Sequence, residues 1–131
     1  MLPEKPLYIL PLPMPPKKLS PNKICNKYEK ARLIKKNRKV CCILARMLFE
    51  NIVDKFGFVP YKKAQIKRVF YFKDKRTGDE DNAEASTKSS TDGVCDSNII
   101  QNDKFIHWLE TEFIIDKSKA GTMEYHFYEL A

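Results

Sequence analysis

Glycine is scarce in this chain. Its 131 residues hold four, at Gly57, Gly78, Gly93 and Gly121, and no two are close enough to build a phosphate-cradling loop. Histidine is scarcer, with His107 and His126 alone, and neither Gly-x-Ser-x-Gly nor His-Glu-x-x-His occurs. Acid pairs such as Glu110 and Glu112 stand two apart, a spacing that points side chains away from each other on a helix. These absences predict a protein that is not an enzyme, has no cofactor and takes no small-molecule ligand.

Four cysteines occur, Cys25, Cys41, Cys42 and Cys95, without a Cys-x-x-Cys to hold structural zinc. They read as reduced thiols, and nothing in the sequence argues for a metal site built from Cys25, Cys95 and a histidine. No apolar run approaches the roughly 20 residues of a membrane span. The start carries Glu4 and four prolines before Met14, unlike a secretory signal. An intracellular protein, nuclear or cytoplasmic, is the expectation.

What the chain has is one-sided charge. Residues 1–73 carry 18 Lys and Arg against 4 Asp and Glu, a balance of +14, while residues 74–131 carry 6 against 13, a balance of −7. A basic front of this density seeks anions, most often nucleic acid, and an acidic back limits non-specific association and can fold against the front. Hydrophobic residues make up 43%, enough for one core. One domain with tails is therefore expected.

Along the chain, residues 1–22 hold seven prolines and predict an extended arm. Within it, 7–10 is apolar enough for a short strand. Residues 23–131 form the domain. Residues 23–36 read as a basic helix capped by Ser20 or Asn22, with Asn37 as a break. Residues 38–56 have helical periodicity, with Ile43, Leu44, Met47, Leu48, Ile52 and Phe56 expected in the core. Residues 64–73 predict a strand, with Val69 and Tyr71 buried. Residues 74–98 are acidic and rich in Ser and Thr, and predict a long mobile loop, with about 76–97 as a disordered insert. Residues 99–115 predict a helix with Phe105, Ile106, Leu109 and Phe113 inward. Residues 122–130 alternate as a final strand with Tyr125 and Phe127 inward. The predicted fold is α+β, with two or three helices on a small, mostly antiparallel sheet; residues 58–62 are a further candidate strand.

The candidate nucleic-acid-binding residues are Lys27, Lys30, Arg32, Lys35, Lys36, Arg38, Lys39, Lys62, Lys63, Lys67 and Arg68. Such cations bind backbone phosphates by releasing counterions, with little sequence preference. Tyr28, Tyr61 and Tyr71 stand near enough in sequence to offer stacking. A localisation signal and a merely solvated face are the competing readings of the same charge. In the arm, Pro13, Pro16 and Lys18 fit a Pro-x-x-Pro-x-basic pattern that groove-type domains read, making them candidates for partner binding.

Residues Lys27-Tyr28-Glu29-Lys30-Ala31-Arg32-Leu33-Ile34 resemble the helix signature of the small ω-type (sixth) subunit of multisubunit RNA polymerases. Residues 103–130 are loosely similar to that family in their order of helix, strand, glycine turn and aromatic-acidic end. The chain departs from the family at Lys35-Lys36-Asn37-Arg38, where a Gly-Thr-Arg-Ala stretch should follow, and residues 40–73 have no counterpart. The resemblance implies a polymerase-associated subunit.

The sequence thus predicts a small non-enzymatic subunit or accessory factor of a transcription, replication or chromatin-type complex. It would contact nucleic acid through its basic front and also have a protein partner. The rival is an interaction adaptor that uses the proline arm and helix faces, with a divergent ω-type subunit as a third reading. The basic helix separates the first two. A phosphate binder keeps Lys35, Lys36, Arg38 and Lys39 exposed and unpaired, whereas an adaptor ties them to Glu110, Glu112 or Asp116.

Overall fold

The computed structural model describes residues 5–16, 19, 26–56, 61–74 and 84–130. Its centre is strand β2, Ala64–Phe72, whose β-branched and aromatic residues suit a pleated surface. Strand β5, Thr122–Leu130, pairs antiparallel with β2 on one side, and β1, Tyr8–Pro13, pairs antiparallel with β5 beyond it. On the other side of β2 lie two short strands in succession, β3 (Ile106–Trp108) and β4 (Glu112–Ile115), both parallel to β2. The sheet is therefore mixed rather than mostly antiparallel. Strands β4 and β5 flank β2 from opposite sides, and the segment between them crosses the end of β2. The Asp116 N–H donates to the Phe72 carbonyl and the Gly121 N–H to the Tyr71 carbonyl. Gly121 has φ +85°, a conformation that glycine supplies without steric cost.

One face of the sheet carries Leu10, Leu12, Ile66, Phe70, Met123, Tyr125 and Phe127, all buried in one cluster. The rings of Phe70, Phe72 and Phe113 stack within it at centroid distances of 5.5–6.5 Å. On the other face the Tyr71 hydroxyl donates to Glu124 Oε1 at 2.6 Å, and His126 Nε2 lies 2.9 Å from the same oxygen.

Two helices are described, both covering the apolar face. Helix α1, Lys27–Phe56, is one unbroken element of 30 residues, so the expected break at Asn37 does not occur. Its cap is Asn26, whose Oδ1 accepts from the Tyr28 N–H; Ser20 and Asn22 lie outside the described residues. Asn37 is buried, and its amide donates to Ser89 Oγ at 2.8 Å and Ser90 Oγ at 2.9 Å. With its side chain bonded across the interface, Asn37 does not compete for its own backbone. Helix α2, Lys88–Asp96, supplies those serines. Its residues fall within the stretch expected to be a mobile insert, and that expectation is corrected here. Ser89, Ser90, Thr91, Gly93 and Val94 are buried, Thr91 hydrogen-bonds the Tyr125 hydroxyl at 2.8 Å, and Gly93 lies against the α1 backbone. Residues 75–83 of that stretch lie outside the described residues.

The helix expected over 99–115 is also corrected. Asn98, at φ 69°, ends α2, and the chain then runs through buried Ile99 and Ile100 and a 3-10 turn, Asp103–Phe105, into β3 and β4. The proline segment is folded onto the body where it is described. Pro11 and Pro13 lie in β1, the edge strand, and Pro15 is buried. Met14 N–H donates to the Gly121 carbonyl, so alternation turns Leu12 and Leu10 toward β5 and the nitrogens of Pro13 and Pro11 outward. A strand can place proline there without losing a ladder bond, and the outer edge offers fewer donors to a stray strand. The expected strand at 58–62 lies largely outside the described residues; Tyr61 forms an isolated parallel bridge with Ile100.

The core expectation holds for Val69, Tyr71, Tyr125 and Phe127, which are buried. Leu44, Leu48, Phe105, Ile106 and Phe113 pack around the core half-buried. It fails on α1, where Ile43 is 50% and Met47 59% exposed. The helix buries Asn37, Cys41, Ala45 and Phe49 instead, a row at intervals of four in which the first three residues are small or polar. The side chains of Ile52 and Phe56 lie outside the described residues.

Candidate nucleic-acid interface

The eleven candidate cations divide into two groups. Four are held by carboxylates. Arg38 grips Asp96 with Nε at 2.5 Å and Nη2 at 2.8 Å, and its Nη1 lies 4.0 Å from Asp92. The Asp96 bond comes first among the causes that raise the Arg38 pKa, and Arg38 in turn holds the Asp96 carboxyl below its ordinary value. Lys63 pairs with Glu129 at 3.1 Å and Lys67 with Glu112 at 2.8 Å. The Glu112 bond leads the causes that raise the Lys67 pKa, and the ammonium also lies 5.6 Å from the Tyr128 ring centroid. Arg68 points into the body. Its Nη1 donates to Thr87 at 2.9 Å, its Nη2 meets Glu84 at 3.0 Å, and its guanidinium stacks 4.3 Å over the Trp108 ring. The acidic back half therefore folds against part of the basic front and neutralises it.

The other seven, Lys27, Lys30, Arg32, Lys35, Lys36, Lys39 and Lys62, are exposed and make no ion pair among the described residues. Six belong to α1. Every residue from Lys27 to Lys36 except Glu29 and Leu33 is exposed, and the first buried residue of the helix is Asn37. The first ten residues of α1, about 15 Å at 1.5 Å per residue, thus extend past the point where the body begins to cover the helix. Lysine, arginine, alanine and leucine favour a helix intrinsically, and continuity with the packed half spares this segment its own nucleation.

Arg32, Lys35, Lys36 and Lys39 recur at helical spacing on the side away from Cys41 and Ala45, and Arg46 continues that stripe seven residues on. Arg46 is missing from the sequence-based set because residues 38–56 read as a core helix. Its spacing from Lys39 was the available signal. Ile43 and Met47, expected in the core, sit exposed on the same face. Tyr28, 76% exposed, carries the Lys27 ammonium 5.3 Å from its ring centroid. Tyr71 is buried against Glu124 and its hydroxyl is pushed up to about 12, by burial first and then by that bond, so it offers no exposed stacking face. Tyr61 is half-buried.

The partner-binding candidates are placed differently. Pro13 ends β1 and is half-buried, as is Pro16, while Lys18 lies outside the described residues. Burial pushes up the thiols of Cys41 and Cys95, the latter to about 11, which leaves neither as a ready thiolate. Among the described residues no group of three or more His, Cys, Asp and Glu is placed to hold a metal ion, and no helix is long and apolar enough to cross a membrane. The chain matches no protein-family model, and a comparison with curated proteins finds no match either.

Proposed function

We propose that this chain is a non-enzymatic subunit or accessory factor that contacts nucleic-acid backbone through α1. One observation carries the reading: six of the seven candidate cations left unpaired lie on α1, while Arg38, Lys63, Lys67 and Arg68 are each ion-paired within the fold. Free, exposed cations in register along one helix release counterions from a phosphate chain at no cost in broken ion pairs. Lys35, Lys36 and Lys39 meet the requirement set for a phosphate binder, and none is tied to Glu110, Glu112 or Asp116. Arg38 departs from it by binding Asp96. The adaptor reading is less favoured in its use of a proline ligand, because Pro15 is buried and Pro13 belongs to a paired strand. It keeps the exposed pair Ile43 and Met47, which favours a protein contact beside the cationic stripe.

The test is a fluorescence-anisotropy titration of labelled nucleic acid at about 50 mM salt. Micromolar or tighter binding that weakens steeply with salt supports the reading. No binding to any nucleic acid rejects it, and the exposed face of α1 would then be assigned to an acidic protein.

A further inference from the structure

Resting on that reading, we infer that the leading ten residues of α1 form an arm that enters the major groove of B-form duplex DNA. The first argument is clearance. A helix with its side chains is about 10–12 Å across, and the B-DNA major groove is about 12 Å wide and 8.5 Å deep. A helix that stands free of its own body can lie in that groove without the body meeting the groove walls on either flank. From Lys27 to Lys36 exposure extends around most of the helix, with Glu29 and Leu33 alone half-buried.

The second argument is where the charge lies. Lys27 and Arg32 are five residues apart, as are Lys30 and Lys35, and five residues turn a helix through roughly 140°. The cations therefore form two rows on opposite flanks. Between the rows lies Ala31, exposed and uncharged, while Ile34 stands four residues from Lys30 within the first row. In a groove the two rows reach the two phosphate strands, and Ala31 between them faces base edges, where an alanine methyl can contact a thymine methyl. A helix lying on a flat polyanion needs cations on one flank only. The A-form major groove is too deep and narrow for side chains to read, which excludes double-stranded RNA from this geometry. Single strands are bound by exposed aromatic platforms along a groove, and Tyr28 is the sole aromatic more than half exposed among the described residues.

The experiment compares the full chain on three probes of equal length, duplex DNA, duplex RNA and single-stranded DNA, across a salt series. The expected result is duplex DNA bound at least about tenfold tighter than either other probe. The double variants Lys27→Ala/Lys30→Ala and Arg32→Ala/Lys35→Ala should each lower the salt slope on duplex DNA by roughly 2, at about 0.9 per lost phosphate contact. Equal binding of all three probes, or a slope moved by the Arg32/Lys35 pair alone, overturns the groove geometry while leaving the nucleic-acid reading in place. No binding to any probe overturns both.

Discussion

Gly93 sets how closely the two helices approach. A Cβ at that position would collide with the Arg38 carbonyl oxygen and lie 2.9 Å from Cys41 Cβ. Backbone cannot swing aside as a side chain can, so Gly93→Ala is expected to cost about 1–3 kcal/mol or more by overpacking. Urea denaturation of the variant checks this, and unchanged stability would mean that α1 and α2 do not pack at this distance. Asn37 is the polar counterpart at the same seam. Asn37→Ala strands the buried hydroxyls of Ser89 and Ser90 and is expected to cost about 1–3 kcal/mol. The pH response belongs to Glu124. Burial pushes its pKa up, but the Tyr71 hydroxyl and His126 outweigh that and the net shift is downward. A carboxyl depressed in the folded state contributes stability above its unfolded value, near 4.3, and that stability is lost as pH falls through the folded value. Stability should therefore decline as pH drops below about 4, and Glu124→Gln should flatten that decline. Parallel denaturation curves for the two proteins from pH 5 to 2 decide it: equal slopes would remove Glu124 from the account.

Elements differ in how plainly the sequence announces them. Strands β2 and β5 were legible because their apolar residues, such as Val69, Phe70, Tyr125 and Phe127, carry strand-forming types in strand spacing. The basic half of α1 was legible from the run KYEKARLIKK. Helix α2 was not, because KSSTDGVCD has almost no helix propensity and a single large apolar side chain, Val94. What holds it is tertiary: the Asn37 amide, the Tyr125 hydroxyl and the Arg38 guanidinium each reach it from sequence-distant positions. Residues 99–115 misled in the opposite direction, since Ile106, Trp108, Leu109 and Phe113 mimic a helical face, while Ile106, Trp108 and Phe113 belong to two short strands and Leu109 lies between them. The buried row of α1 was missed because Asn37, Cys41 and Ala45 are small or polar, and Ile43 and Met47 looked the better core. Deleting residues 84–97 should abolish cooperative unfolding, as it strips the cover from Cys41 and Tyr125. A melting curve as sharp as that of the intact chain would show that α2 is dispensable.

At the scale of the whole molecule, the fold sorts its charge. Pairing of the basic front with the acidic back consumes Arg38, Lys63, Lys67 and Arg68, and the exposed pairs of Arg38 and Lys63 each contribute about 0–1 kcal/mol to stability. The main consequence of the pairing is to leave six of the seven unpaired candidate cations together on α1. The modest net charge of +7 thus coexists with a concentrated cationic helix. The direct measurement of this claim is the salt dependence of nucleic-acid affinity for three proteins: the intact chain, Lys35→Ala/Lys36→Ala/Lys39→Ala, and Lys63→Ala/Lys67→Ala. The α1 variant should lower the slope of log K against log salt by roughly 2–3, while the paired-lysine variant leaves it unchanged. A slope that falls with the paired lysines, or that ignores the α1 lysines, would contradict the account.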